Sequence, residues 1–151
     1  MAKKNLAEIF LPDELATIEF GKSLAPMLRE GMILSLVGDL GAGKTTLVKG
    51  LALAWGGAKE DISSPTFSIV HDHVFPQAEV LHCDFYRLDP EKELEDLGGL
   101  EFFFQKKIFV VEWLVHSGII ELIDKKQIVT ISIETKNNTR VAYFDAVFDN
   151  S

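Results

Sequence analysis

The sequence predicts an α/β fold in which a central mixed β-sheet is flanked by helices. Two short apolar runs, residues 32–37 and 107–111, have the length and composition of buried strands. A glycine-rich segment and a stretch with helical apolar spacing follow the first run, which is the order of a strand–loop–helix unit. Two later β-rich stretches are joined by Asn137 and Asn138, which are turn residues. Strands and helices are therefore expected to share one core.

Turn residues and apolar spacing divide the chain into its elements. Residues 11–14 open a helix, because Asp13 and Glu14 suit its first turn, and Pro26 ends or kinks it. The other predicted elements are a strand at 32–37, a helix at 45–55, a loop at 56–65, a hairpin of strands 66–74 and 79–85, an acidic helix at 91–97, a strand at 107–111, and strands at 127–134 and 140–148.

Length, charge and composition restrict the possible functions. With 151 residues and 47% hydrophobic content, residues 1–151 are expected to form a single domain. The net charge of -8 disfavours direct binding to nucleic acid, which relies on clustered Lys and Arg. No apolar run approaches the ~20 residues that span a bilayer, and the N-terminus lacks the apolar part of a signal peptide, so a cytoplasmic protein is expected. The lone cysteine, Cys83, is expected to be a half-buried strand residue.

The segment between the first strand and its helix matches the phosphate-binding loop (P-loop) pattern G-x-x-x-x-G-K-[ST]. It reads Gly38-Asp39-Leu40-Gly41-Ala42-Gly43-Lys44-Thr45. Glycines there permit positive φ, so that backbone N–H groups can surround phosphates at the positive end of the following helix. Lys44 is expected to reach the β- and γ-phosphates, and the Thr45 hydroxyl to ligate Mg²⁺. The pattern predicts a nucleoside triphosphate site.

Such a site also needs an acidic residue at the end of a neighbouring strand, which holds Mg²⁺, usually through water. Glu112 follows the apolar run 108–111 and is the best candidate. Trp113, the next residue, either stacks on the nucleotide or packs in the core. The segment Ser64-Pro65-Thr66-Phe67 follows the P-loop helix, where many P-loop proteins place a hydroxyl group that senses the γ-phosphate.

A further group of polar residues lies in and directly after the predicted strand 79–85. Side chains of a strand alternate between its faces, so His82, Asp84 and Tyr86 share one face. They form either a solvent-exposed edge, or a surface that places Asp84 in the site as a water-orienting or Mg²⁺-shell carboxylate. A metal cluster of His71, His73, His82 and Asp84 is a third interpretation, although a hairpin produces the same alternation.

Six segments follow one another in the order and spacing of a known family. They are Leu11-Pro12-Asp13-Glu14, Gly38 to Thr46, Ser64-Pro65-Thr66-Phe67, His82-x-Asp84-x-Tyr86-Arg87-Leu88, Glu93-Leu94-Glu95-x-Leu97-Gly98 and Glu112-Trp113. Together they resemble the bacterial TsaE family, formerly YjeE. Members of that family are small ATPases that act with TsaD and TsaB to make N6-threonylcarbamoyladenosine (t6A) in tRNA.

The resemblance implies a Mg²⁺-dependent ATPase of low intrinsic activity that partner proteins stimulate or complete, with tRNA contacted only through the complex. It implies catalytic roles for Lys44, Asp84 and Glu112, and Mg²⁺ binding by Thr45 and Glu112. The implied nucleotide contacts are Glu14, Gly38, Asp39, Leu40, Gly41, Ala42, Gly43, Lys44, Thr45, Thr46, Thr66, Trp113 and Arg140, with Glu14 and Arg140 near the adenine.

Two other functions share the P-loop. A small-molecule kinase usually clamps its acceptor with several arginines, and this chain has only Arg29, Arg87 and Arg140. A non-catalytic nucleotide-binding module would stabilise its partners without releasing phosphate. Phosphate transfer to a metabolite would favour the first alternative, and binding without hydrolysis would favour the second.

Overall fold

The computed structural model describes residues 5–39, 41, 43–63, 70–85, 95, 98–114 and 119–146. Its strands are β1 (Asn5–Leu11), β2 (Ile33–Val37), β3 (Val70–Phe75), β4 (Ala78–Asp84), β5 (Ile108–Glu112), β6 (Ile128–Lys136) and β7 (Thr139–Ala146). The α-helices in these residues are α1 (Glu14–Leu24) and α2 (Lys44–Ala54), and short 3₁₀ segments occupy Ala25–Met27, Lys59–Asp61, Leu100–Phe104, Ile119–Leu122 and Lys125–Gln127. None of the described helices is long and apolar enough to cross a lipid bilayer.

The strands form one mixed sheet in the order β1-β7-β6-β2-β5-β4-β3. Its centre, β6-β2-β5-β4, is parallel. Antiparallel strands extend both sides, with β3 beside β4 and the pair β7 and β1 beside β6. Parallel neighbours need crossover connections, and helices in those connections cover the sheet. The structure thus confirms the predicted α/β class with a central mixed sheet flanked by helices.

Apolar side chains pack on both faces of the sheet. On one face, Leu34 and Leu36 of β2 pack with residues of α1 and α2. On the opposite face, Phe109 and Val111 of β5 pack with the 3₁₀ segments around Phe103 and with Ile119. Strands covered on both sides need mostly apolar residues, which explains the apolar runs of β2, interrupted by Ser35, and of β5, which ends at Glu112.

Helices α1 and α2 cross in direct backbone contact at two glycines. A Cβ atom added to Gly21 would lie 2.2 Å from the carbonyl oxygen of Leu47, and one added to Gly50 would lie 2.2 Å from that of Ile18. Real side chains do not tolerate this separation, so the crossing requires glycine on both helices. The contact holds α1, which begins at Glu14, against the helix that follows the P-loop.

The start of the chain differs from the sequence prediction. No element was predicted for residues 5–10, whereas they belong to β1, which pairs along β7 and places Leu11 opposite Arg140. Because the two strands lie at opposite ends of the described chain, no local sequence pattern predicts their pairing. The start of α1 is as predicted, because Asp13 caps it by accepting a hydrogen bond from the Ala16 amide at 2.7 Å.

Within the described residues, the bounds of α2 and of the other predicted strands agree with the structure to within two residues, whereas the 3₁₀ segments were not predicted. Phe75 extends β3 instead of belonging to the hairpin turn, and the predicted loop at 56–65 contains the 3₁₀ segment Lys59–Asp61. Residues 64–69 and most of the acidic helix expected at 91–97 lie outside the described residues.

Candidate nucleotide and metal site

The P-loop lies between β2 and α2, as predicted. Gly41 and Gly43 have φ angles of 82° and 109°, in the left-handed region that favours glycine. Gly43 directly precedes α2, so the loop leads into the positive end of the helix dipole. Asp39 is exposed, whereas Leu40 and Ala42 lie outside the described residues. The backbone therefore has the strand–loop–helix arrangement that a phosphate site requires.

Lys44 is buried at the first turn of α2. Only 5% of its surface is exposed. Its Nζ donates a hydrogen bond to the Gly38 carbonyl oxygen at 2.7 Å and lies 3.7 Å from Glu112 Oε1. Buried charges are retained where they are paired and hydrogen-bonded. The structure thus places a compensated cation directly beside the loop.

Glu112 ends β5 and is also 5% exposed. Its register partners are Leu36 at the end of β2 and Asp84 at the end of β4. While Oε1 faces Lys44, Oε2 accepts a hydrogen bond from His82 Nε2 at 2.9 Å. The carboxylate is therefore held between a lysine and a histidine at the carboxyl edge of the parallel strands.

Asp84 lies beside Glu112 at this edge. The two residues are register partners on parallel strands, so their side chains share a face of the sheet. Asp84 is partly buried. The structure thus brings two of the predicted catalytic residues together, while Tyr86 lies outside the described residues.

His82 does not lie on a solvent-exposed edge, which was one interpretation of its strand. The side chain is completely buried. Alternation correctly predicted that His82 and Asp84 share a face, but a period of two cannot show whether that face is covered. Cys83, on the opposite face, is fully buried instead of half-buried, and burial raises the pKa of its thiol.

The alternative metal cluster is not formed. The ring centroids of His71 and His73 are 6.2 Å apart, and those of His71 and His82 are 6.5 Å apart. Within the described residues, no three His, Cys, Asp or Glu side chains are arranged to hold a metal ion. His73 stacks on Phe75 with ring centroids 5.5 Å apart. The pKa of His73 is lowered mainly by burial and, to a smaller extent, by the neighbouring imidazoles of His82 and His71.

Trp113 has an unusual backbone conformation directly after Glu112. Its φ angle is 67°, in the left-handed region that large side chains rarely adopt. The centroid of its ring lies 4.4 Å from Lys44 Nζ, a cation–π distance. The residue also packs against the apolar cluster around Phe109, on the sheet face opposite α1 and α2. The structure shows packing around the P-loop lysine, and stacking of Trp113 on the nucleotide stays a prediction.

A second part of the candidate site is an open pocket of about 460 Å³ beside the P-loop. Its lining includes Glu14, Thr46 and Arg140, which are distant in sequence. Arg140 Nη2 donates a hydrogen bond to the Gly41 carbonyl oxygen at 3.2 Å, so the pocket adjoins the loop. Pockets of ~300–1,000 Å³ are typical of small-molecule sites. The two residues that the resemblance places near adenine therefore face one cavity.

The residues present suit Mg²⁺ in the type of atom they offer. Mg²⁺ prefers hard oxygen ligands and commonly takes one or two from the protein, with the rest from phosphates and water. Glu112 supplies carboxylate oxygens, and Thr45, in the first turn of α2, supplies a hydroxyl. Thr66 lies outside the described residues.

Together, the glycine loop between a buried strand and a helix, the buried lysine and the strand-end carboxylates define a protein of the P-loop class. Residues 11–142 match the family model described as "Threonylcarbamoyl adenosine biosynthesis protein TsaE". The chain therefore belongs to the TsaE family, and the resemblance predicted from its motifs is confirmed.

Individual relatives agree with this assignment. The chain is 43% identical over 114 residues to the TsaE protein of a Synechocystis species, covering 73% of this chain and 71% of the relative. It is 36% identical over 109 residues to that of Haemophilus influenzae, covering 69% and 68%. The crystal structure of Bacillus subtilis YdiB superposes with a TM-score of 0.74 at 27% identity, covering 98% of this chain and 90% of that one.

Proposed function

We propose that this chain is a Mg²⁺-dependent ATPase that acts with TsaD and TsaB in forming t6A in tRNA. Membership of the TsaE family supports the pathway, because relatives are named tRNA threonylcarbamoyladenosine biosynthesis proteins. The ATPase activity is inferred chiefly from the buried Lys44, which is held beside the glycine loop by Gly38 and Glu112. A lysine in that position neutralises the β- and γ-phosphates of a bound triphosphate.

The protein groups around the phosphates have separate roles in this proposal. Backbone N–H groups of the loop and the start of α2 bind the phosphate oxygens. Thr45 and Glu112 would hold Mg²⁺, which would offset the negative charge of the phosphates. Asp84, beside Glu112 in the register of the sheet, orients the attacking water. Burial strengthens these interactions because few water molecules screen them.

The open pocket is proposed to receive the adenosine. Glu14 can accept a hydrogen bond from the exocyclic amino group of adenine, and the planar guanidinium of Arg140 can stack on the base. Thr46 lines the same cavity and connects it to the P-loop helix. Because Glu14 is exposed, water competes for these contacts, and we expect modest base affinity.

Hydrolysis by the isolated chain is expected to be slow. The pocket is open, and exclusion of water strengthens the electrostatic contacts that stabilise a phosphoryl-transfer transition state. We infer that a partner surface completes the site, since an inserted arginine can contribute ~10³- to 10⁵-fold in rate.

The direct experiment is ATP turnover by the pure protein, alone and with TsaD and TsaB. Phosphate release should be slow alone and faster with the partners, and Lys44→Ala should abolish the increase. Binding without phosphate release in the full mixture would instead establish the non-catalytic module. Transfer of labelled phosphate to a metabolite would establish the kinase.

The link to tRNA is proposed to pass through protein. The net charge of -8 and only three arginines provide few clustered cations to displace counterions from phosphates. Filter retention at ~150 mM salt, where screening limits weak surface attraction, should show no appreciable tRNA binding by the chain alone. Tight binding there, or full multi-turnover t6A formation with Lys44→Ala in a reconstituted reaction, would contradict the proposal.

A further inference from the structure

His82 is a buried polar residue whose position packing alone does not explain. It is fully buried, and in the sheet it lies between Val110 of β5 and His71 of β3 and shares a strand face with Val80. Its Nδ1 atom has no hydrogen-bond partner within the described residues. A buried nitrogen without a partner costs free energy, and an apolar side chain at this position would avoid that cost.

The other ring nitrogen makes a well-defined contact. His82 Nε2 lies 2.9 Å from Glu112 Oε2, within hydrogen-bond range. A carboxylate accepts this bond from the neutral Nε2–H tautomer or from the imidazolium, so the contact does not require a particular charge on the ring. The histidine therefore occupies one of the two carboxylate oxygens of Glu112.

The contacts of Glu112 are divided between its two oxygens. Oε2 is held by His82, and Oε1 lies 3.7 Å from Lys44 Nζ. One partner on each oxygen restricts rotation of the carboxylate about its terminal bond. With Oε2 occupied, Oε1 is the oxygen that faces the P-loop lysine.

We propose that His82 is a positioning residue that holds Glu112 in the orientation needed to bind Mg²⁺ through Oε1. This role rests on the proposed function, because it assigns Glu112 to the metal. Groups that orient metal ligands through hydrogen bonds typically contribute ~10- to 100-fold to metal affinity or activity. His82 touches neither nucleotide nor metal in this account and acts only through Glu112.

The test compares His82→Leu, which fills similar volume without a donor, with His82→Gln, whose amide can still donate to Glu112. Binding of ATP is measured by calorimetry across a Mg²⁺ titration and also without Mg²⁺. In His82→Leu, the Mg²⁺ concentration that produces half of the maximal change in ATP binding should be ~10- to 100-fold higher than in the wild-type chain. Its Mg²⁺-free ATP affinity should not change, and His82→Gln should restore much of the Mg²⁺ response.

Two controls separate positioning from general packing. His73→Leu removes a histidine that stacks on Phe75, and it should leave the Mg²⁺ response unchanged. In a Glu112→Gln background, His82→Leu should have little additional effect, because the residue acts through the missing carboxylate. Thermal unfolding monitors folding, and if His82→Leu does not fold, His82→Asn, with a shorter amide, should lose the Mg²⁺ response that His82→Gln keeps.

Contrary outcomes are distinguishable. A normal Mg²⁺ response in folded His82→Leu, or in His82→Asn when that variant is used, would overturn the positioning role alone. If His82→Leu weakens ATP binding equally in the wild-type and Glu112→Gln backgrounds, His82 acts by packing and not through Glu112. No Mg²⁺ effect on ATP binding by the wild-type chain would overturn the proposed function, and the role of His82 with it.

Discussion

The two ends of the proposed nucleotide site differ in burial. At the phosphate end, Lys44 and Glu112 are each 5% exposed and lie against the ends of central strands. At the base end, Glu14 is exposed on the first turn of α1, and Arg140 is partly exposed on β7. Charges interact more strongly where water is excluded. We therefore expect the phosphate end to supply most of the binding free energy and the chemistry, and the base end to adjust specificity.

The ends also differ in how the chain builds them. The phosphate end joins neighbouring parallel strands through β2, β4 and β5. The base end joins the start of α1 to the β6–β7 turn at Asn138, next to the antiparallel edge of the sheet. The α1–α2 crossing and the hydrogen bond from Arg140 to Gly41 connect the two ends.

The largest effect is expected for Lys44→Ala. Hydrogen bonds to charged groups contribute about 1.5–3 kcal/mol, so loss of the lysine should weaken ATP binding by ~10- to 100-fold. Calorimetric titration measures this, with Lys22→Ala as the matched control, since Lys22 forms an exposed ion pair with Glu19. Comparable losses of ATP affinity in both variants would show that the buried lysine contributes no more to ATP binding than an exposed one.

The next effect tests the connection between the ends. Gly50→Ala places a methyl group against the Ile18 carbonyl, so α1 must shift. Overpacking of this kind typically costs about 1–3 kcal/mol of unfolding free energy, which urea denaturation measures. Because Glu14 moves with α1, discrimination between ATP and GTP should also fall. Lys49→Ala, on the same helix, controls for changes in helix propensity, and equal stability of the two variants would argue against the close crossing.

Asp84→Asn tests whether both strand-end carboxylates act in chemistry. Removing a water-orienting charge should slow partner-stimulated hydrolysis by at least ~10-fold, or ~1.4 kcal/mol of barrier, with little change in ATP affinity. Steady-state phosphate release and binding titration separate the two quantities. A rate close to wild type would show that the chemistry does not depend on Asp84, although it lies beside Glu112.

The smallest effect is expected at the base end. A cation stacked on an exposed ring contributes about 0.5–1 kcal/mol, so Arg140→Ala should weaken ATP binding by less than ~10-fold. The reduction should be larger for ATP than for inorganic triphosphate, because Arg140 is proposed to stack on the adenine and inorganic triphosphate has no base. A reduction as large as that of Lys44→Ala would contradict the proposed division between the two ends.

The features that could be predicted from the sequence are those with local determinants. The P-loop glycines and Lys44 are contiguous, and Glu112 directly ends an apolar run, so pattern alone predicted their elements. The structure then brings Glu112 to Lys44, as parallel strands with a shared carboxyl edge require. The assigned roles in ATP and Mg²⁺ binding stay predictions that the variants above test.

Features that depend on distant pairing were less accessible from sequence. β1 was missed because its partner, β7, lies at the other end of the described chain. The pocket that joins Glu14 to Arg140 was expected only through the family resemblance, since no local motif connects them. The burial of His82 was missed because alternation identifies shared faces but not what covers them.

The role of the buried phosphate end as a metal-dependent centre is tested most sharply by Glu112→Gln, which keeps the shape of the side chain and removes its charge. Binding and partner-stimulated hydrolysis of ATP are measured across a Mg²⁺ titration for this variant and the wild-type chain. The variant should fold normally, bind ATP without Mg²⁺ at least as tightly as wild type, and show Mg²⁺-dependent hydrolysis reduced by at least ~10-fold. Hydrolysis with the wild-type Mg²⁺ dependence would contradict the assignment of the buried phosphate end as the metal-dependent centre.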